Sequence, residues 1–385
     1  DLNDRAGKIR EWEDGAGGDQ SRDARVQQML GFNLDTFPLP ELESSIAARA
    51  VVQSGPPKES LMFRDIAKSV GVDTTFVSDY PIDEVNFYLY QANGGGLAAL
   101  DYDLDGRCDL YVVQSGGDPN RRASSIPNQL YRQVPGDAFG EVSVPSGTAD
   151  RNYGQGVCAG DLNQDGMPDL LIANIGRNTV YINQGDGTFR EQSDLVASDS
   201  DRWTSSIALG DLSGDQLPDI VEVNYLDDPL IFERKCEGRV LNCTPQRFRA
   251  ACDRVFHSTG SGAFRLWDQA QDMDHLPNYG FGVVMANFDG QAGTDLFLSN
   301  DGDLNHFWRS VESPGGSQDP FALTECAGVA GCSIGISGAS QACMGIASGD
   351  FDRNGLLDLV VTNFHNEPIN LFPVSYTHLR AHETF

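Results

Sequence analysis

The stretch DYDLDGRCDL, Asp101 to Leu110, places four carboxylates within nine residues and then runs into aliphatic sequence. Like charges that close repel one another, so they need either a cation or full hydration. A hard cation such as Ca²⁺ takes roughly six to eight oxygens at about 2.3–2.6 Å, and a tightly wound chain can supply them from alternate residues. Here Asp101, Asp103 and Asp105 can converge, Gly106 permits the sharp turn, the Arg107 carbonyl can face inward and Asp109 can close the site. Mg²⁺ demands stricter octahedral geometry and usually keeps waters, so this donor set suits Ca²⁺ better. The pattern matches the first part of an EF-hand loop, but the rest of that motif is missing. Its twelfth position is Val112, Ile172 or Val361 in three copies of the stretch, and the exception, Glu222, lies in a copy without the glycine.

The stretch recurs. DLNQDGMPDL offers Asp161, Asn163, Asp165 and Asp169, and DFDRNGLLDL offers Asp350, Asp352, Asn354 and Asp358. DLSGDQLPDI offers Asp211, Ser213, Asp215 and Asp219, with Gln216 where the glycine should be. NFDGQAGTDL, from Asn287, is a damaged copy: Gln291 replaces the third acid and Ala292 the glycine, so weak or no metal binding is expected there. The bland alternative is a set of solvated acidic turns. Such turns do not require acids at positions one, three, five and nine together, and the recurrence favours calcium.

The loops start at 101, 161, 211, 287 and 350, a spacing of one supersecondary unit. A Gly-rich apolar stretch precedes each loop (GGGLAAL, YGQGVCAG, WTSSIALG, YGFGVVMAN, CMGIASG), and an aliphatic run follows it (LYVVQ, LLIAN, IVEVN, LFLSN, LVVTN). A third element follows (NQLYRQ, NTVYIN, DRVFHS, NHFWRS, NLF), and then a fourth headed by Phe139, Phe189, Phe264 or Phe321, with Phe63 as an earlier match. Short strands with turn signals at regular spacing predict an all-β fold, and four strands per unit predict the blade of a β-propeller. The recurring aromatics Tyr131, Tyr181, Phe256, Phe307 and Phe372 are expected in the core, and the glycines of GQGVCAG where strands crowd the axis.

Three domains are expected: residues 1–59, an acidic extension with helix-compatible pieces and a GPPKES linker; 60–373, the propeller; and 374–385, a foreign tail. VSYTHLRAHET, Val374 to Thr384, resembles one reading frame of a common sequencing-library adaptor and breaks the repeat. The segment Asp227 to Asp253 is an insertion carrying three of the eight cysteines. The short spacings Cys236/Cys243 and Cys326/Cys332 suit small disulfide loops in an oxidising compartment, and no zinc-type CxxC spacing occurs.

The 385 residues carry a formal net charge of -29, which argues against nucleic acid and anionic membrane as partners. No apolar run is long enough to span a bilayer. The chain starts without Met or a signal peptide and is expected to be a fragment truncated at both ends, so secretion stays open.

With FRDIAKSVGV, GGGLAALDYDLDG, YGQGVCAGDLNQDG, YGFGVVMANFDG and ACMGIASGDFDRNG, residues Ser60 to Phe372 resemble the FG-GAP/VCBS repeats of integrin-α-type propellers. The order of elements is similar to the ASPIC–UnbV, or cartilage acidic protein, family. The resemblance implies a calcium-bearing, seven-bladed propeller that is exported and works by binding, with about five to six blades present here. A further C-terminal domain, common in that family, is not expected in this stretch.

Catalytic motifs such as Gly-x-Ser-x-Gly, His-Glu-x-x-His and phosphate-binding glycine loops are absent outside the tail. His257, His275, His306 and His365 fall in different units. Two functions compete. One is a non-enzymatic, monomeric, calcium-binding propeller that is extracellular, on the cell surface or periplasmic and binds a protein or glycan. The other is a calcium-dependent polysaccharide-acting enzyme of lyase type. A lyase needs Lys, Arg, His or Tyr converging on a groove, and the 27 Lys and Arg form no cluster, so binding is favoured.

Overall fold

Each repeat becomes an antiparallel sheet because its apolar runs are short, rich in β-branched and aromatic residues, and separated by Gly and Asp turns. The computed structural model describes residues 62–385, except 78–85, 117–122, 198–201, 238–243, the single positions 314, 316, 318 and 336, and 376–377, 380–381 and 384–385. The expected helical extension lies outside the described residues. The chain divides into two units, Asp1–Arg64 and Asp65–Phe385, and every strand named below belongs to the second.

A short strand, β1 (Asn86–Tyr88), precedes the repeats. The first sheet is β2 (Gly96–Leu100), β3 (Asp109–Val113), β4 (Gln129–Val134) and β5 (Ala138–Glu141), in that order. The second is β6 (Gly154–Gly160), β7 (Asp169–Asn174), β8 (Thr179–Asn183) and β9 (Phe189–Glu191). The third is β10 (Trp203–Gly210), β11 (Asp219–Leu226), β13 (Arg254–Ser258) and β14 (Phe264–Leu266), with β12 (Lys235–Glu237) in the insertion between. The fourth is β15 (Gly280–Ala286), β16 (Asp295–Asp303), β17 (His306–Glu312) and β18 (Phe321–Glu325). The fifth has β19 (Gln341–Gly349), β20 (Asp358–Asn363) and β21 (Asn370–Phe372).

Five sheets of one design therefore follow one another among the described residues, and the fold is an all-β array of propeller blades. Their first strands lie side by side, β2 against β6, β6 against β10, β10 against β15 and β15 against β19. This crowding explains the glycines. A Cβ on Gly96 would sit 3.0 Å from the Cα of Gly156, and one on Gly156 would sit 3.1 Å from the Ser205 carbonyl oxygen. The second strands β7 and β11, sandwiched between neighbours, are buried along their whole length. Between blades, apolar faces interlock, as where Leu100, Tyr111 and Leu130 of the first blade meet Leu170, Ile172 and Tyr181 of the second.

Register corrects one expectation. Leu110, Leu170, Ile220, Leu296 and Leu359 pair with Tyr131, Tyr181, Phe256, Trp308 and Phe372. The fourth blade's repeat-locked aromatic is thus Trp308 and not Phe307, although both are buried. Phe63 is a second correction, because it is 97% exposed and lies in no strand.

Residues Val374–Ser375 and His378–Leu379 form a small hairpin, and His382–Glu383 pairs with β21. The stretch foreign to the repeat in sequence thus supplies the fifth blade's outermost pairing. The cysteines meet one expectation in part and depart from the other, and Cys243 lies outside the described residues. Cys236 is disulfide-bonded, whereas Cys326 and Cys332 carry free thiols. Cys332 and Cys343 are buried in the apolar core between the fourth and fifth blades, with Cys326 packed against it, and burial pushes the Cys326 thiol up to about 11.

The insertion has a structural role. Its β12 pairs antiparallel with β1, and Phe87, Tyr90, Ile231, Cys236 and Phe248 pack with Tyr153, Trp203 and Tyr225. This cap covers the starts of the first strands, the end opposite the acidic loops.

Candidate metal centre

Each acidic loop joins the end of a blade's first strand to the start of its second. The winding that brings its side chains together is visible in the backbone. Position four is left-handed in the first, second and fifth loops (Leu104, φ 55°; Gln164, φ 57°; Arg353, φ 62°), and the glycines at position six are left-handed too. In the third loop Gly214 takes position four, and Gln216 is forced to φ 69° at position six. The turn therefore survives the missing glycine at the cost of a strained residue. Gln216→Gly is expected to raise stability by about 0.5–1 kcal/mol, measured as the urea midpoint at unchanged slope.

The four positions do different work. At position one, Asp101 accepts the Asp105 and Gly106 amides at 2.9 and 2.8 Å. Asp161 accepts those of Asp165 and Gly166, Asp211 those of Gly214 and Gln216, and Asp350 those of Asn354 and Gly355. At position five, Asp105, Asp165, Asp215 and Asn354 each accept the amide two residues on.

Position nine is a strut. One oxygen of Asp109 accepts the Tyr102 amide at the loop's start, and the other accepts the Gln133 amide of β4. Asp169 does the same with Leu162 and Asn183, and Asp358 with Phe351 and Val374. Asp219 accepts Leu212, Ser213 and Ser258 amides. The damaged fourth loop keeps the arrangement, with Asp295 accepting Phe288 and Ser310 amides. A carboxylate retained where positions five and six are lost serves the fold first. Burial raises Asp109, Asp219 and Asp295 above the usual carboxylate range, and Asp169 to about 6, against the opposing pull of these amides. The expected ligands Asp109, Asp169, Asp219 and Asp358 thus already hold two backbone segments together, and any cation contact uses a remaining lone pair.

Position three varies most. Asp103 Oδ1 is buried without a hydrogen-bond partner, as are Ser213 Oγ and Asp289 Oδ2. Asn163 and Asp352 instead bond to the residue at position five. Carboxylate oxygens of Asp101, Asp103 and Asp109 lie within 4.8 Å of one another, and so do those of Asp350, Asp352 and Asp358. These are positions one, three and nine. The second and third loops have Asn163 and Ser213 at position three, so they offer no such carboxylate triple. The donor sets of the first and fifth loops fit a hard cation, and the orphaned Asp103 oxygen supports the first. Glu222 is no ligand: it is buried on β11 and accepts a hydrogen bond from the Asn178 side-chain Nδ2 at 2.7 Å.

Two participants escape a sequence reading. Arg132 Nε lies 2.6 Å from Asp103 Oδ2, and its Nη2 lies 3.1 Å from Asp105 Oδ2. His257 of β13, expected to be one of several scattered histidines, is buried against the third loop with Nδ1 3.0 Å from Asp219. The signal was available in the third element, where Arg132 and His257 follow the locked aromatic. At the cap end a cavity of about 450 Å³ is lined by Gln155, Trp203, Ser205, Ser206 and Phe281, among others, with no acid or base among the described residues of its wall.

The FG-GAP-like repeat model matches residues 101–172 and 161–222, and the chain carries FG-GAP-like repeats folded as propeller blades. It is similar to Cartilage acidic protein 1 of Homo sapiens, 24% identical over 308 residues, covering 75% of this chain and 41% of the relative. The Mus musculus protein of the same name is 24% identical over 294 residues, covering 72% and 40%. The chain thus spans about two-fifths of the length of these relatives, in agreement with the resemblance read from its motifs. Among solved structures, an Agrocybe aegerita lectin that recognises non-reducing terminal N-acetylglucosamine aligns at a TM-score of 0.43 and 14% identity, covering 76% of this chain and 66% of that one. No helix among the described residues is long and apolar enough to cross a membrane.

Proposed function

We propose that this chain is a non-enzymatic calcium-binding propeller that works outside the cell by presenting its blade-end surfaces to a protein or glycan. The observation that carries the calcium reading is the convergence of Asp101, Asp103 and Asp109, repeated by Asp350, Asp352 and Asp358. Sites of this kind in extracellular modules bind at roughly 10⁻⁴–10⁻³ M, which matches calcium levels outside cells. The similarity to Cartilage acidic protein 1 supports the placement. Among its described lining residues the cavity at the cap end has no acid or base, so this cavity lends the lyase alternative no support.

Thermal unfolding in millimolar calcium, in magnesium and in excess chelator tests the reading. A ligand that binds only the native state raises the midpoint by linkage. Calcium is expected to raise it by several degrees where magnesium does not. Equal midpoints in all three solutions would remove calcium from the proposal.

A further inference from the structure

In each blade's third element one residue precedes the residue whose amide meets the strut. These residues are Arg132, Ile182, His257, Arg309 and Pro373, before Gln133, Asn183, Ser258, Ser310 and Val374. Where the residue can carry positive charge, it reaches into its own blade's loop. Arg132 meets Asp103 and Asp105; His257 Nε2 lies 3.7 Å from Asp215; Arg309 Nε lies 3.8 Å from Asp289. Those are also the loops whose position-three side chain keeps a buried atom without a partner: Asp103, Ser213 and Asp289. In the second and fifth loops, where this register holds Ile182 and Pro373, both polar atoms of the position-three side chain are bonded within the loop, whereas Asp289 bonds there through Oδ1 alone.

We infer that this register position sets each loop's affinity for a divalent cation, with Arg132 acting as an internal cation that a metal must displace from the first loop. The inference rests on the calcium reading above. Its physical basis is simple. A guanidinium among carboxylates lowers the repulsion that would otherwise draw in a metal, and it repels the metal's own charge. Arg132 is a fork that engages two carboxylates at once, and a lysine would not reproduce that geometry. The side chain is 39% exposed, so it can swing into water when displaced, and solvent screens part of its effect.

Terbium(III) provides a probe for this loop. Tyr102 is buried at position two, where the other loops have Leu162, Leu212, Phe288 and Phe351. Tyrosine-sensitised emission that Tyr102→Phe removes therefore reports the first loop, and its loss on adding excess calcium shows that the two ions share the site. Arg132→Gln is expected to lower the terbium concentration for half-maximal emission about tenfold. The reciprocal Pro373→Arg, at a half-buried position beside the fifth loop's carboxylate triple, is expected to weaken calcium binding by the fifth loop by a similar factor in calorimetric titration, and it keeps the inference testable should Arg132→Gln fail to fold. Metal binding by the wild type with unchanged affinity in these variants would overturn the inference alone. No binding by the wild type or either variant would overturn the calcium reading, and the inference with it.

Discussion

Asp169→Ala is expected to destabilise the protein by about 3 kcal/mol in calcium and in chelator alike. The carboxylate joins the Leu162 and Asn183 amides at 2.9 and 2.8 Å, and it is completely buried. Truncation leaves two donors without an acceptor where water does not reach, and charge-assisted hydrogen bonds are the stronger kind. The contrast is Asp352→Ala at position three of the fifth loop, where the side chain is exposed. There the metal-free stability should move by less than about 0.5 kcal/mol, while the calcium-induced rise shrinks. Urea unfolding of both variants, with and without calcium, separates strut from ligand. A loss in Asp169→Ala confined to the calcium arm would show that position nine serves the metal and not the fold.

Asp253→Asn is expected to stabilise the protein, increasingly as pH rises. Asp253 accepts the Asn224 amide at 2.7 Å and the Asn278 side-chain amide at 2.9 Å. Asn128, Asn178 and Asn305 make the corresponding cap on the Gln114, Asn174 and Asn300 amides in other blades. A neutral amide therefore suits the position. Burial raises the Asp253 carboxyl from 3.8 to about 7, although its hydrogen bonds and Arg202 oppose the shift. The folded state holds this proton more tightly than the unfolded chain, so its contribution is complete below the unfolded value and is lost as pH rises through about 7. At pH 8 the substitution should yield roughly 2 kcal/mol, and below about pH 4 almost none. Asn278 Oδ1 is buried without a partner, so rotation of that amide can accept from the new one. Unfolding midpoints across this range decide the matter: a variant less stable than wild type at both ends would refute the argument.

The repeats, their strand order and their aromatic core are legible because each rests on local patterning, and five tandem copies show the pattern repeatedly. The loop turn is legible for the same reason. The two roles within the loop are not. Asp101 and Asp109 look alike in sequence, and only the Gln133 amide arriving from the third strand makes the second a strut. Phe307 and Trp308 are adjacent aromatics, and such a pair leaves the register open until the strands meet. Arg132 stays hidden because its partner carboxylates lie 29 and 27 residues away in sequence. The expected Cys326/Cys332 bridge rests on spacing alone, and spacing does not fix how two thiols face each other.

The cap has a consequence for how the chain assembles. The pairing of Asn86 with Glu237 closes a loop of about 150 residues. Most of the remaining pairings join strands close together in sequence, so each sheet can form early and locally. The cap cannot, because two whole sheets and the first two strands of the third lie between its partners. It is thus a high-contact-order element on a low-contact-order frame, and such contacts form late. In native-state hydrogen exchange its amides should open as a separate cooperative unit, ahead of the strands beneath them.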